Sequence, residues 1–257
     1  MKINTIYNEN CLNTMRNMPN NFVDAIITSP PYDDLKKYNG YSFDFKSIAN
    51  ELYRILKEGC VLVWIVNDKI ENGSETGTSF NQALYFKQIG FNLHNTMIWH
   101  KTNPMPQIQH NRYLDAFEYM FILSKGKVKT FNPIRISCKD AGNNYKYTTK
   151  HPSENKDRIK KNFKINKTKV LNNVWSVAVS KLKTEHPATS PQKLIDKHII
   201  TWTNEDDLIY DCFSGSGTTA LSCIKYKRKF IGSEISKEYT EKSIERLKEF
   251  KKQKILF

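Results

Sequence analysis

Long apolar runs are missing from this chain: none approaches the roughly 18 residues a membrane-spanning helix needs, so the chain reads as soluble. Its five cysteines (Cys11, Cys60, Cys138, Cys212, Cys223) are scattered, odd in number and never spaced Cys-x-x-Cys. That argues against a disulfide framework and against a zinc site, and reduced thiols are expected. The opening residues Met-Lys-Ile-Asn-Thr-Ile carry no basic region leading into an apolar stretch. No secretory signal is therefore visible, and the cytoplasm is the expected compartment. Acidic residues are scarce beside basic ones, 26 against 40, which leaves a formal net charge of +14. Such an excess favours a polyanionic partner such as nucleic acid; a Lys-rich coding bias is the alternative.

What is present has the alternation of an α/β domain. Runs from Ile3 to Tyr7, Asp24 to Thr28, Val61 to Val66, Thr96 to His100 and Tyr119 to Leu123 read as largely buried strands. Between them the spacing predicts a helix over Phe45 to Lys57, with Ile48, Leu52 and Leu56 on one face and Gly59 as a stop. A second helix is expected over Phe80 to Gln88, capped by Thr78 or Ser79. Alternating strands and helices imply a mainly parallel sheet. From Lys125 to about Leu182 the apolar periodicity fades and Lys and Asn dominate. This stretch is either a solvated linker or a small nucleic-acid-facing unit, since Tyr145, Tyr147, Phe163, Val174 and Trp175 interleave with the charge. The final third then reads as a βαβα unit: a helix begun by Ser190-Pro191 precedes a strand Leu208 to Asp211, a helix Thr218 to Lys225, a strand Phe230 to Ser233 and an amphipathic helix Ser236 to Lys252.

Two motifs carry chemistry. Asp211-Cys212-Phe213-Ser214-Gly215-Ser216-Gly217-Thr218-Thr219 lies between an expected strand and helix, where glycines allow a tight turn and close backbone approach to a ligand. Glu234 ends the next strand, roughly 20 residues on, where an acid that binds ribose hydroxyls usually stands. Together they describe a nucleoside-cofactor pocket; a Gly-rich turn followed by a surface Glu is the plainer alternative. The third glycine of a dinucleotide fingerprint is missing, which counts against a nicotinamide-dependent oxidoreductase. Ser29-Pro30-Pro31-Tyr32 follows the strand Asp24 to Thr28, so it is delivered to the carboxyl edge of the sheet, where open α/β folds bind ligands. Prolines fix the backbone there. The Ser29 hydroxyl and Pro30 carbonyl could then accept from one amino group, with Tyr32 offering a stacking face. A Pro-rich turn with a packed Tyr is the alternative.

The pair of motifs resembles the amino-group DNA methyltransferases that use S-adenosylmethionine, and their order, catalytic motif first and cofactor motif last, looks like the β-class arrangement. The resemblance also covers Glu51 to Gly59, Phe117 to Gly126, and His186-Pro187-Ala-Thr-Ser-Pro-Gln-Lys-Leu194, which is similar to the family segment against the methionine part of the cofactor. It implies a circularly permuted Rossmann-like methyltransferase sheet flanked by helices, an α/β fold with a basic target-recognition insert. It further implies a catalytic half over 1–126, a target-recognition region over 127–183 and a cofactor half over 184–257. The implied catalytic residues are Ser29, Pro30, Pro31 and Tyr32. Those implied for the cofactor, S-adenosyl-L-methionine, are Asp211, Cys212, Phe213, Ser214, Gly215, Gly217, Thr218, Thr219, Glu234, His186 and Pro187, with no metal. Ser-Pro-Pro-Tyr is more typical of cytosine-N4 members than Asp-Pro-Pro-Tyr, so cytosine is the expected target, adenine N6 the alternative, and a non-catalytic nucleic-acid-binding protein on this fold another. Asn10 stands near the usual Gly-Asp position. Lys101, Arg112, Lys156, Arg158, Lys160 and Lys161 are candidate phosphate contacts. Double-stranded DNA is the expected partner, RNA a further substrate option, and the family leaves room for a separate restriction endonuclease and a homodimer.

Overall fold

A computed structural model of the chain describes residues 1–31, 43–106, 111–148, 160–179 and 190–255. In chain order the elements are β1 (Thr5–Asn8), α1 (Cys11–Arg16), β2 (Val23–Thr28), α2 (Phe45–Ile55), β3 (Leu56–Val66), β4 (Ile70–Glu71), β5 (Ser74–Glu75), α3 (Thr78–Gln88), β6 (Asn92–Lys101) and β7 (Phe117–Ser124). They continue with β8 (Arg135–Ser137), β9 (Asn144–Thr148), β10 (Lys160–Lys164), β11 (Thr168–Val170), β12 (Val174–Val177), α4 (Gln192–Trp202), β13 (Leu208–Asp211), α5 (Thr218–Lys225), β14 (Lys229–Glu234) and α6 (Lys237–Ile255). Eight strands form one sheet in the order β1-β14-β13-β2-β3-β7-β6-β12. Every neighbouring pair is parallel except those made by β7, which runs antiparallel to β3 and β6. The C-terminal unit thus completes a sheet begun at the N-terminus: β1 pairs with β14, and β2 with β13. Among the described residues no helix is long and apolar enough to cross a membrane.

Burial explains why these segments form. Ala25, Ile26 and Ile27 of β2 are all buried, and since successive strand side chains point to opposite faces, the strand is covered on both. On one face Ile26, Leu62 and Trp64 join Ile48, Leu52 and Ile55 of α2 and Phe86 of α3 in a common core. Asp24, the one acid in β2, ties the halves of the chain together: Oδ2 accepts from Leu208 N at 2.9 Å and Oδ1 from Lys57 Nζ at 2.6 Å.

Several boundaries differ from the sequence-based expectation. Helix α2 stops at Ile55 and Leu56 already opens β3, so Gly59 is no helix stop. It sits at φ +83° in an irregular stretch of β3, where Val23 faces Leu56 and Ala25 faces Val61. A Cβ there would come within 2.5 Å of Lys129 Cδ. Neither Thr78 nor Ser79 caps α3. Gly77 does so by position, and Asp68 supplies the acceptors, taking Ser79 N–H at 2.8 Å and the Ser79 hydroxyl. At α4 the cap residue is Pro191 rather than Ser190. Helix α1 was not expected at all; Asn10 caps it, its Oδ1 accepting from Leu12 N at 2.9 Å.

Residues Pro133–Asn172 form a second compact unit, the remainder forming the first. Within it β8 pairs with β11 and β9 with β10, both antiparallel, giving two separate two-stranded sheets. Trp175 lies outside both: it is buried in β12, at the edge of the large sheet, opposite Trp99. Its ring meets His198, which burial holds neutral with its pKa lowered to about 3.

Candidate active site

The chain leaves β13 through α5 towards β14 and leaves β2 through α2 towards β3, so the adjacent strands β13 and β2 feed opposite sides of the sheet. A crevice outside the carboxyl ends of two such strands is where open α/β sheets bind ligands. Both motifs end there. The Thr28 hydroxyl donates to Asp211 Oδ1 at 2.7 Å and lies 3.5 Å from Cys212 Sγ. This buried bond spans 183 residues of sequence and fixes the step into Ser29 against the start of the glycine loop. Pro30 is buried, and Ser29 and Pro31 half-buried. Tyr32 lies outside the described residues, as do His186 and Pro187.

The loop is built for close approach. Gly215 (φ +48°) and Gly217 (φ +74°) take left-handed backbone, and Gly217 stands at the N-terminal cap of α5. Gly217 N donates to the Ser214 carbonyl and Ser214 N to that of Ser233, each at 2.8 Å, which fastens the turn to β14. Gly232 leaves the space that Ser214 fills, since a Cβ there would fall 2.6 Å from Ser214 Oγ. Asp211 Oδ1 also accepts from Phe213 N at 3.1 Å. Burial raises the Asp211 carboxyl above its ordinary value, and the Thr219 and Thr28 hydroxyls and the Phe213 N–H oppose it. Burial likewise pushes up the Cys212 thiol, so it is no ready nucleophile. Phe213 rests against Phe43, with ring centroids 5.7 Å apart, and Trp64, at 6.4 Å. Thr218 and Thr219 are buried in the first turn of α5.

Glu234 closes the other side. Its Oε2 accepts from Gly215 N at 2.9 Å and Oε1 from Ser236 N at 2.8 Å, while burial raises the carboxyl against those two N–H groups. The acid therefore also holds the glycine loop in shape. Two observations fit a nucleoside cofactor. The Glu234 carboxylate, whose oxygens carry about four acceptor sites, stands at the end of β14 against the loop. Ser214 Oγ is buried without a hydrogen-bond partner among the described residues, and such an atom is uncommon unless something else is meant to meet it.

Not every candidate gathers here. Asn10 is spent capping α1. Lys101 pairs with Glu118 at 3.0 Å with both side chains largely buried, which removes it from the surface cations a phosphate could meet. Arg112 donates to the Gly73 carbonyl and sits 3.7 Å from Glu75, so it braces the β4–β5 turn. Lys156 and Arg158 lie outside the described residues. Sequence reasoning overlooked Thr28, which read merely as the last residue of a strand.

Known proteins share this sequence and this fold. Over residues 23–245 the chain matches the N6/N4 family profile described as DNA methylase. It is 47% identical over 238 residues, 89% of each chain, to the orphan methyltransferase M.BamHII of Bacillus amyloliquefaciens. Among solved structures it is similar to the M1.HpyAVI–SAM complex, at 25% identity and a TM-score of 0.63 over 94% of this chain and 98% of that one. The cytosine-N4-specific PvuII DNA methyltransferase shares the fold at 20% identity, with a TM-score of 0.69 over 96% of this chain and 92% of that one.

Proposed function

This chain belongs to the N6/N4 DNA methylase family, and on that premise we propose that it methylates the N4 amino group of a cytosine at a fixed sequence in double-stranded DNA. It is an S-adenosylmethionine-dependent DNA methyltransferase of Rossmann-like fold. The observation that carries the site assignment is the Thr28–Asp211 hydrogen bond, which joins the Ser-Pro-Pro end of β2 to the glycine loop. When bound, S-adenosylmethionine supplies an electrophilic sulfonium methyl. The loop from Asp211 to Thr219 and Glu234 would hold it, with His186 and Pro187 against its methionine part. An exocyclic amine is a poor nucleophile because its lone pair is conjugated into the ring. In this reading the Ser29 hydroxyl and Pro30 carbonyl accept hydrogen bonds from its two N–H groups and favour the pyramidal form, while Tyr32 stacks on the flipped base. Catalysis then comes mainly from positioning.

Ser29 favours cytosine, because a hydroxyl stands where adenine-N6 members of the family often have a carboxylate. The basic stretch 127–183 is the proposed target-recognition region, and a separate endonuclease and a homodimer are the partners the family resemblance suggests, in the cytoplasm. The test is base-resolved mapping of DNA from a methylation-free host expressing the protein. N4-methylcytosine at one recurring sequence is the expected result. N6-methyladenine would move the target base while keeping the enzyme class, and unmodified DNA bound by the purified protein would support the non-catalytic reading.

A further inference from the structure

Arg246, in α6, reaches behind the glycine loop. Its Nη1 donates to the Ser216 carbonyl at 2.9 Å and to the hydroxyls of Thr218 at 3.3 Å and Ser216 at 3.4 Å, while Nη2 donates to Gln192 Oε1 at 3.4 Å. Gln192, the first residue of α4, in turn donates to the Thr218 carbonyl at 3.3 Å, to Asp196 Oδ1 at 3.1 Å and to the Ser222 hydroxyl. Ser216 lies between the two left-handed glycines, so its peptide could rotate easily. Instead it is held from both ends, the carbonyl by Arg246 and the following N–H by Ser214. Among the described residues the guanidinium's acceptors are neutral oxygens, and burial lowers its pKa, although arginine stays charged. A half-buried cation facing only neutral acceptors is a costly way to fasten a helix. A planar fork that reaches a loop carbonyl and a side-chain amide together is something only Arg supplies.

We propose that Arg246 is a positioning residue for cofactor binding: it fixes the Ser216 peptide and couples α6 and α4 to the glycine loop before the cofactor arrives. The inference rests on the reading that this loop binds S-adenosylmethionine. It is tested by calorimetric titration of S-adenosylmethionine into wild type, Arg246→Met and Arg246→Lys, with hydrogen exchange of the 212–218 amides in the cofactor-free proteins. Arg246→Met should weaken binding about tenfold, speed exchange of the loop amides, and lower turnover at saturating cofactor by less than it lowers affinity. Arg246→Lys, which keeps the charge and loses the fork, should weaken binding by about threefold, and it carries the test if the Met variant does not fold. Wild-type affinity and loop exchange in a folded variant would overturn the proposal, even with a lowered melting temperature. Failure of the wild type itself to bind would sink the cofactor reading along with it.

Discussion

Asp211 shows how a single buried carboxyl at this site ties stability to pH. Its carboxyl is buried and its pKa raised, with desolvation as the leading cause. A raised acid pKa means that the unfolded chain ionises more readily than the folded one. The stability associated with the protonated form is complete below the ordinary carboxylate range near 4 and is lost as pH rises through the raised value. Asparagine would keep an oxygen for the Thr28 hydroxyl and the Phe213 N–H and remove the charge. Asp211→Asn should therefore melt about 2–4 °C higher at neutral pH, the shift that 1 kcal/mol gives in a chain of this size, with the gap closing towards pH 4. It should also bind S-adenosylmethionine about tenfold more weakly. Thermal scans across pH and calorimetry check both, and a lower melting temperature at neutral pH would refute the stability half. Asp211 and Glu234 could be picked out of the sequence because each closes an apolar strand, and Ser29 because it directly follows one, positions from which a side chain reaches the sheet edge. Arg246 could not, because in Glu-Arg-Leu-Lys-Glu-Phe it resembles any charge on a solvated helix face.

Among the elements, the glycine loop gives the clearest test of backbone geometry. Gly217 and Gly73 have nearly the same φ, +74° and +78°, but a Cβ on Gly217 would meet Ser243 Cβ at 3.0 Å and one on Gly73 would meet nothing within 4 Å. An alanine pays about 1–2 kcal/mol for left-handed backbone at either position. Gly217→Ala should cost at least that much and more than Gly73→Ala in urea melts; equal losses would show that the α5–α6 contact yields freely. The strands were legible because buried parallel strands are near-continuous apolar runs, as in Val23 to Thr28. Helix α1 was not, since its six residues give too little of the 3.6-residue period to register. Helix α3 takes its capping acceptor from Asp68, 11 residues before Ser79, which local pattern cannot anticipate. Strand β12 does alternate, with Trp175 and Val177 buried and Val174 and Ser176 exposed, but its four residues are hidden among Lys and Asn.

Across the entire chain the surplus of 14 positive charges sets the expectation for DNA affinity. If phosphate contacts dominate, raising salt from 50 to 200 mM should weaken binding by at least about tenfold. Fluorescence anisotropy of a labelled duplex checks this, and a flat salt response would deny the basic surface that role. The sheet also joins segments far apart in sequence, because β1 pairs with β14 and one edge of β2 pairs with β13. That pairing has a consequence during synthesis. Thr28 leaves the ribosome 183 residues before Asp211, which at 5–20 residues per second is a wait of roughly 10–40 s. Throughout that interval the apolar edge of β2 that β13 will cover has no native neighbour. That edge of the newborn chain therefore stays open to other nascent chains until β13 emerges, and the same strand order that brings the two motifs together makes their meeting wait for synthesis of both.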